Sequence, residues 1–314
     1  MKIASENSSV PLSRTRAGDG LLRGTMRCLR IALAVAGLAA PLIAQQGAQD
    51  TNRVIQNQTE FNAFTSASNL PDPASRAEAL DAFVKRYPHS VALVDALEEE
   101  MAAWEQAGDM DKVAKTAGQL VAAEPGNIRS LAVLVALNRS KAMKGDQVAL
   151  DDLCMKTPNG AQQLSSWQKP RGMTDAEFTN LRNQMQVIFV GAEGYCALQE
   201  RRFAVAHDFY AQVLKMDPSN WENVYQMGVT DLEMDPPDLD GFWYCAKSVQ
   251  LAQIANNMDG MRATTEYCMT KYARYHGSGE GWAAILKAAE AQDEPPRNFA
   301  KHIKRGREHK SKHK

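Results

Sequence analysis

From residue 60 onward, apolar side chains recur every three or four positions, the period of an amphipathic helix. Val91, Val94, Leu97, Met101 and Trp104 make one stripe; Val113, Ala117, Leu120 and Val121 make the next. Gly108-Asp109 lies between them as a turn, and Pro125 ends the pair. An earlier pair reads as a short helix over 60–67, a break at Asn69–Pro73, and a helix carrying Ala79, Leu80, Phe83 and Tyr87 that stops at Pro88. Leu131, Leu134, Val135, Leu137 and Ala142 open a third unit, and Gly145-Asp146 repeats the turn chemistry. Its return helix starts near Val148 and is expected to end at Thr157-Pro158-Asn159-Gly160, leaving 156–173 irregular. Thr174 to Glu177 is a capping box, so a helix starts at 175 and runs toward Leu198. Further helices are expected at Trp221–Glu233, 242–254, 261–275 and 281–291, with Pro295-Pro296 closing the fold. Runs of β-branched residues are rare, so the pattern predicts an all-α chain of helical hairpins.

Hairpins recurring at this interval mark an α-solenoid; Pro88 and Pro125 lie 37 residues apart. Residues 187–218 carry the pattern most fully. Gly194 sits in the first helix, Ala206 and Tyr210 share a face of the second, Pro218 marks the stop, and Gly228 falls 34 residues after Gly194. In these residues the chain resembles the tetratricopeptide repeat family, whose units of about 34 residues keep a glycine, an alanine, an aromatic and a closing proline in that order. The copies are degenerate. Val190 and Val224 stand where that family has an aromatic, and Met101 and Val113 where the unit ending at Pro125 would have glycine and alanine. The resemblance covers residues 58–275 and implies an α-solenoid of tetratricopeptide-like antiparallel hairpins, four or five in number.

The same resemblance implies that the first helix of each hairpin lines a concave binding face. Carried over, that face holds Asp95, Glu98 and Glu105 at one end, and Tyr195, Leu198, Tyr225 and Val229 at the other. Such a face fits a protein or an extended peptide with basic and apolar residues. The alternative is that the acids are solvated surface and the aromatics pack between repeats.

The ends set the expected compartment. Arg23, Arg27 and Arg30 precede an apolar run from Ile31 to Ile43, and Ala44 precedes Gln45. That is the outline of a secretory signal peptide over 1–44, with Met26 as an alternative start. The run is too short to span a bilayer, so no transmembrane span is expected. Residues 45–57 read as a linker, 58–292 as the repeat domain, and 293–314 as a basic, disordered, histidine-bearing tail. Residues 45–300 hold 23 basic and 34 acidic side chains, while 301–314 hold seven basic and one acidic. A basic run without interleaved aromatics does not point to nucleic acid. Export makes disulfides accessible to the four cysteines beyond residue 44. Cys245 and Cys268 flank a turn-like Asn256–Gly260 at comparable distances and are the candidate pair; two buried free thiols are the alternative.

Little in the chain points to catalysis. No CxxC motif is present. His276-Gly-Ser-Gly-Glu-Gly281 follows a helix and lacks the lysine of a phosphate loop, so it reads as a turn. The neighbouring acids Glu98, Glu99 and Glu100 read as solvated surface. His302, His309 and His313 have no partner at metal-ligand spacing. No catalytic, metal or cofactor site is therefore expected. The reading is an exported, non-catalytic interaction scaffold, with a helical enzyme or carbohydrate-active accessory factor of the cell envelope as the alternative.

Overall fold

The structure, a computed structural model, describes residues 54–169 and 173–306. The signal segment expected at 1–44, the alternative start at Met26, the first part of the expected linker, and the end of the expected tail with His309 and His313 lie outside the described residues. Among those described, all regular structure is helical: α1 Gln58–Ser68, α2 Pro73–Arg86, α3 Leu93–Ala107, α4 Met110–Ala123, α5 Ile128–Ala142, α6 Gln147–Ser166, α7 Asp175–Gln199, α8 Phe203–Met216, α9 Trp221–Glu233, α10 Gly241–Ile254, α11 Met258–His276, α12 Trp282–Glu290 and α13 Phe299–His302. From α1 to α11 each helix packs on the next, as in an α-solenoid. First helices of successive hairpins also meet, α5 with α7 and α7 with α9.

The turns have a common chemistry. Gly108 and Gly145 adopt φ of 78° and 91°, and the aspartate after each caps the return helix. Asp109 accepts from the Lys112 amide at 3.1 Å, and Asp146 from the Ala149 amide at 3.0 Å. Asn256 (φ 54°) and Asn257 do the same between α10 and α11, with Asn257 accepting from the Gly260 amide at 2.8 Å. Between α7 and α8 the left-handed position is held by Arg201 (φ 59°), and Arg202 at the N-cap makes no side-chain cap.

Two glycines of the repeat pattern act by close approach. The Tyr210 ring of α8 lies against Gly194 of α7, where a Cβ would come within 3.0 Å of Tyr210 Cζ. Gly228 of α9 faces Gly241 of α10. A Cβ on Gly228 would lie 2.9 Å from the Gly241 carbonyl oxygen and 3.0 Å from the Cys245 nitrogen. Both obstacles are backbone, so the helices would have to separate.

The expected break at Thr157–Gly160 does not occur; α6 continues through Pro158 to Ser166. The proline forfeits one backbone hydrogen bond, and tertiary contacts offset that loss. A Cβ on Gly160 would lie 2.0 Å from the Phe189 ring, so this glycine seats Phe189 of α7 against the α6 backbone. A disulfide from Cys154 to Cys196, Cα atoms 5.7 Å apart, ties the same two helices. The second disulfide joins Cys245 of α10 to Cys268 of α11, with Cα atoms 5.9 Å apart.

Packing also continues beyond the boundary expected at 292. Phe299 and Ile303 are buried in the last core cluster, and the Phe299 ring meets Trp243 edge-on at 5.5 Å. Lys247 Nζ donates to the Gln292 carbonyl and Asp293 Oδ1, both at 2.9 Å, and the Gly306 amide donates to the Tyr275 carbonyl at 3.0 Å. Two apolar residues in an otherwise basic, polar segment were too weak a pattern to announce this return.

Two glycine substitutions separate close approach from mere flexibility. Gly228→Ala is expected to destabilise the protein by roughly 1–3 kcal/mol. Gly118→Ala, in α4 with open space where the Cβ would go, is expected to stabilise it by about 0.5–1 kcal/mol. Urea unfolding followed by far-UV circular dichroism reads both; equal effects would remove the packing role of Gly228.

Candidate functional site

Tyr195 and Leu198 lie on one face of α7, and Tyr225 and Val229 on one face of α9. Because α7 and α9 touch, these two faces form opposite walls of an open groove of about 400 Å³. All four residues line it, with Gln226 and Glu233 of α9, Met143 at the end of α5, and Gln199, Arg201 and Phe203 at the α7–α8 turn. No residue of the 156–169 stretch contributes.

The walls are largely aromatic and aliphatic, with Arg201 and Glu233 as the charged residues of the lining, and Tyr195 and Leu198 are mostly buried in the packing between helices, 5% and 7% exposed. Burial raises the Tyr195 pKa, and pushes that of Tyr225 up to about 12, so both are phenols at neutral pH. Tyr225 meets Tyr267 of α11 edge-on at 5.8 Å. Tyr267 Oη donates to Glu233 Oε1 at 2.9 Å, and Lys271 pairs with the same oxygen. Burial works against the Glu233 charge, but the bonds from Lys271 and Tyr267 outweigh it and hold its pKa below the usual glutamate range. Through Tyr267 and Lys271 the groove adjoins a second depression of about 320 Å³ on α11, lined by Glu266, Thr270 and Arg274 among others.

One helical turn from Met143, Tyr195 and Gln226 lies a polar layer that periodicity did not announce. Arg139 of α5 is 9% exposed, and its Nη2 donates to Asn223 Oδ1 of α9 at 2.8 Å. Gly191 of α7 makes the room: a Cβ there would be 3.0 Å from both Arg139 Nη1 and Asn223 Oδ1. In sequence, Arg139 reads as one more polar position on a helix, and no local signal marks its burial.

The acidic residues are elsewhere. Asp95, Glu98 and Glu105 sit on α3, and none is among the groove-lining residues. Glu98 Oε1 accepts from Asn127 Nδ2 at 2.7 Å, and burial raises the Glu105 pKa against the opposing charge of Arg129. Glu100, expected as solvated surface, is 2% exposed. Its Oε1 accepts from Thr116 Oγ1 at 2.8 Å and from Trp104 Nε1 at 3.1 Å, and its Oε2 has no partner. Two donors supplied by its own and the next helix make the burial tolerable, which helical period alone cannot foresee.

Among the described residues no cluster of histidine, cysteine, aspartate or glutamate fits a metal ion. His207 Nδ1 lies 2.7 Å from Asp231 Oδ1, an orienting pair of the kind that serves a base. Asp231 is fully buried, and His207 makes no hydrogen bond to a hydroxyl or thiol among the described residues. The pair joins α8 to α9. No helix among the described residues is long and apolar enough to cross a membrane. The chain matches no protein-family model and no curated protein.

Burial of the Glu100 carboxylate, opposed by the bonds from Thr116 and Trp104, raises its pKa above the usual glutamate value. Below that usual value the group is protonated whether folded or unfolded, and its penalty is absent. The penalty appears as pH rises through the raised folded value and is complete above it. Glu100→Gln is therefore expected to stabilise the protein by on the order of 1 kcal/mol at pH 8, and to make almost no difference near about pH 4. Thermal unfolding across that range checks the sign; a variant less stable than the parent at pH 8 would refute it.

Proposed function

We propose that this chain is a non-catalytic recognition scaffold of tetratricopeptide-like repeats that holds an extended segment of a protein partner in the groove between α7 and α9. One observation carries the reading: Tyr195, Leu198, Tyr225 and Val229, picked from the repeat register, line a single groove. An open, aromatic-walled channel with few charges matches the way extended segments are gripped, by apolar pockets rather than by a converging set of reactive groups. The two disulfides support an oxidising compartment, in keeping with the export signal expected at 1–44 and with action in the cell envelope or outside the cell.

A photoreactive side chain at Val229 is expected to trap the partner in intact cells. The same probe at Val148, which is 79% exposed on α6, is expected to trap nothing in common with it. Tyr225→Ala should abolish the Val229 adduct. The Glu98→Lys and Glu105→Lys double variant should leave it intact, because those acids lie outside the groove. Identical adducts from both probe positions, or none from Val229, would sink the groove reading.

A further inference from the structure

We infer that the groove selects an acidic partner segment, receiving a side-chain carboxylate at Arg201, with the buried charge of Arg139 one helical turn away. This rests on the recognition reading above and gives the partner its chemistry.

Arg139 brings a charge into the interior without a counter-charge. None of the ion pairs among the described residues includes it, and its Nε is buried without a hydrogen-bond partner. A buried cation in that state is costly. Its position gives the cost a use. Arg139 and Met143 share a face of α5, Gly191 and Tyr195 a face of α7, and Asn223 and Gln226 a face of α9. The Arg139–Gly191–Asn223 layer thus lies one helical turn along from the groove layer of Met143, Tyr195 and Gln226. A buried cation is poorly screened, and its field reaches the Tyr195 phenol.

Arg201 is the second, independent sign. Gly108 and Gly145 occupy the left-handed position of the two earlier turns at no steric cost, and asparagine tolerates it at 256. Arginine gains nothing there conformationally. It does gain a place on the groove wall, with its guanidinium 5.5 Å from the Phe203 ring centre. Strain in a residue facing a binding site points to use rather than to stability.

The groove's other groups agree. The Tyr195 and Tyr225 hydroxyls make no hydrogen bond among the described residues and are neutral donors to an incoming carboxylate. Of the acids on α9, Asp231 is buried against His207, Glu222 is outside the lining, and Glu233, which lines the groove and feels the Arg201 charge, is bonded by Lys271 and Tyr267. With Glu233 neutralised by Lys271, Arg201 is the cation left on the groove wall of a body whose residues 45–300 carry a net charge of −11. The basic partner expected from the sequence was read from α3 acids that do not line this groove.

Panning a random twelve-residue peptide library on the whole chain tests this. Enriched peptides are expected to be net negative around an aromatic or large aliphatic residue, to compete with one another, and to lose binding to Tyr225→Ala. Arg201→Gly is expected to raise the thermal midpoint, by relieving the left-handed arginine, while weakening the enriched peptide at least about tenfold; Arg201→Lys should recover part of the affinity. Because that variant folds better, lost binding cannot be ascribed to unfolding. Enrichment of neutral or basic peptides that still need Tyr225, or unchanged affinity in Arg201→Gly, would overturn the charge assignment and leave the groove standing. Failure to enrich any peptide sensitive to Tyr225 would overturn both.

Discussion

The hydrogen bond from Arg139 to Asn223 spans 84 residues in a chain whose helices pack mainly on their neighbours in sequence. It passes across α7 at Gly191, where α7 offers no side chain. Solenoids are held together by nearest-neighbour interfaces, each free to slide a little on the next. A directional bond between alternate hairpins removes that freedom, because its geometry fails within a few tenths of an ångström. The spacing of α5, α7 and α9 is set there, and the groove walls inherit it. Any larger residue at 191 would press on both partners at once.

Stability and recognition pull apart at this site. An uncompensated guanidinium and a left-handed arginine both work against folding. The turns before α4 and α6 take the cheaper solution, glycine, at the place that Arg201 holds between α7 and α8. The two disulfides brace the helices on either side. Cys154–Cys196 fixes α7 to α6 next to Tyr195, and Cys245–Cys268 fixes α10 to α11 behind Gly228. Covalent cross-links of this kind commonly contribute a few kcal/mol, about 2–4 each, enough to offset local strain. The first tie lies on α7 close before Arg201, while Arg139 on α5 and Asn223 on α9 are held by their own hydrogen bond.

The architecture was legible because it is written locally. A helical stripe, a Gly-Asp turn and a capping box each need only a few neighbouring residues, and α3, α4 and the start of α7 appear where those signals lie. Gly194 and Gly228 could be read as packing positions because the repeat gave them a register. Gly160 could not: beside Pro158 and Asn159 it has every mark of a turn, and only the Phe189 ring from 29 positions along the chain gives it a different task. The walls of the groove were legible for the same reason as the helices, since Tyr195, Leu198, Tyr225 and Val229 follow from periodicity and register. The polar layer beside it was not, because Arg139 and Asn223 lie far apart in sequence and nothing local pairs them.

The sign of the groove matters beyond its walls. An acidic surface repels an acidic segment at long range, so attraction begins only close to Arg201. At physiological ionic strength the screening length is about 8 Å, comparable to the width of a helix. An acidic chain therefore feels little repulsion from the body until it is close, and then meets Arg201 at contact range. A basic chain, by contrast, would be drawn to the abundant surface acids everywhere and held in the groove no better than outside it. An acidic body with Arg201 on its groove wall thus favours selectivity for one acidic segment over broad adhesion to basic ones, a consequence of where one arginine sits rather than of the net charge of the chain.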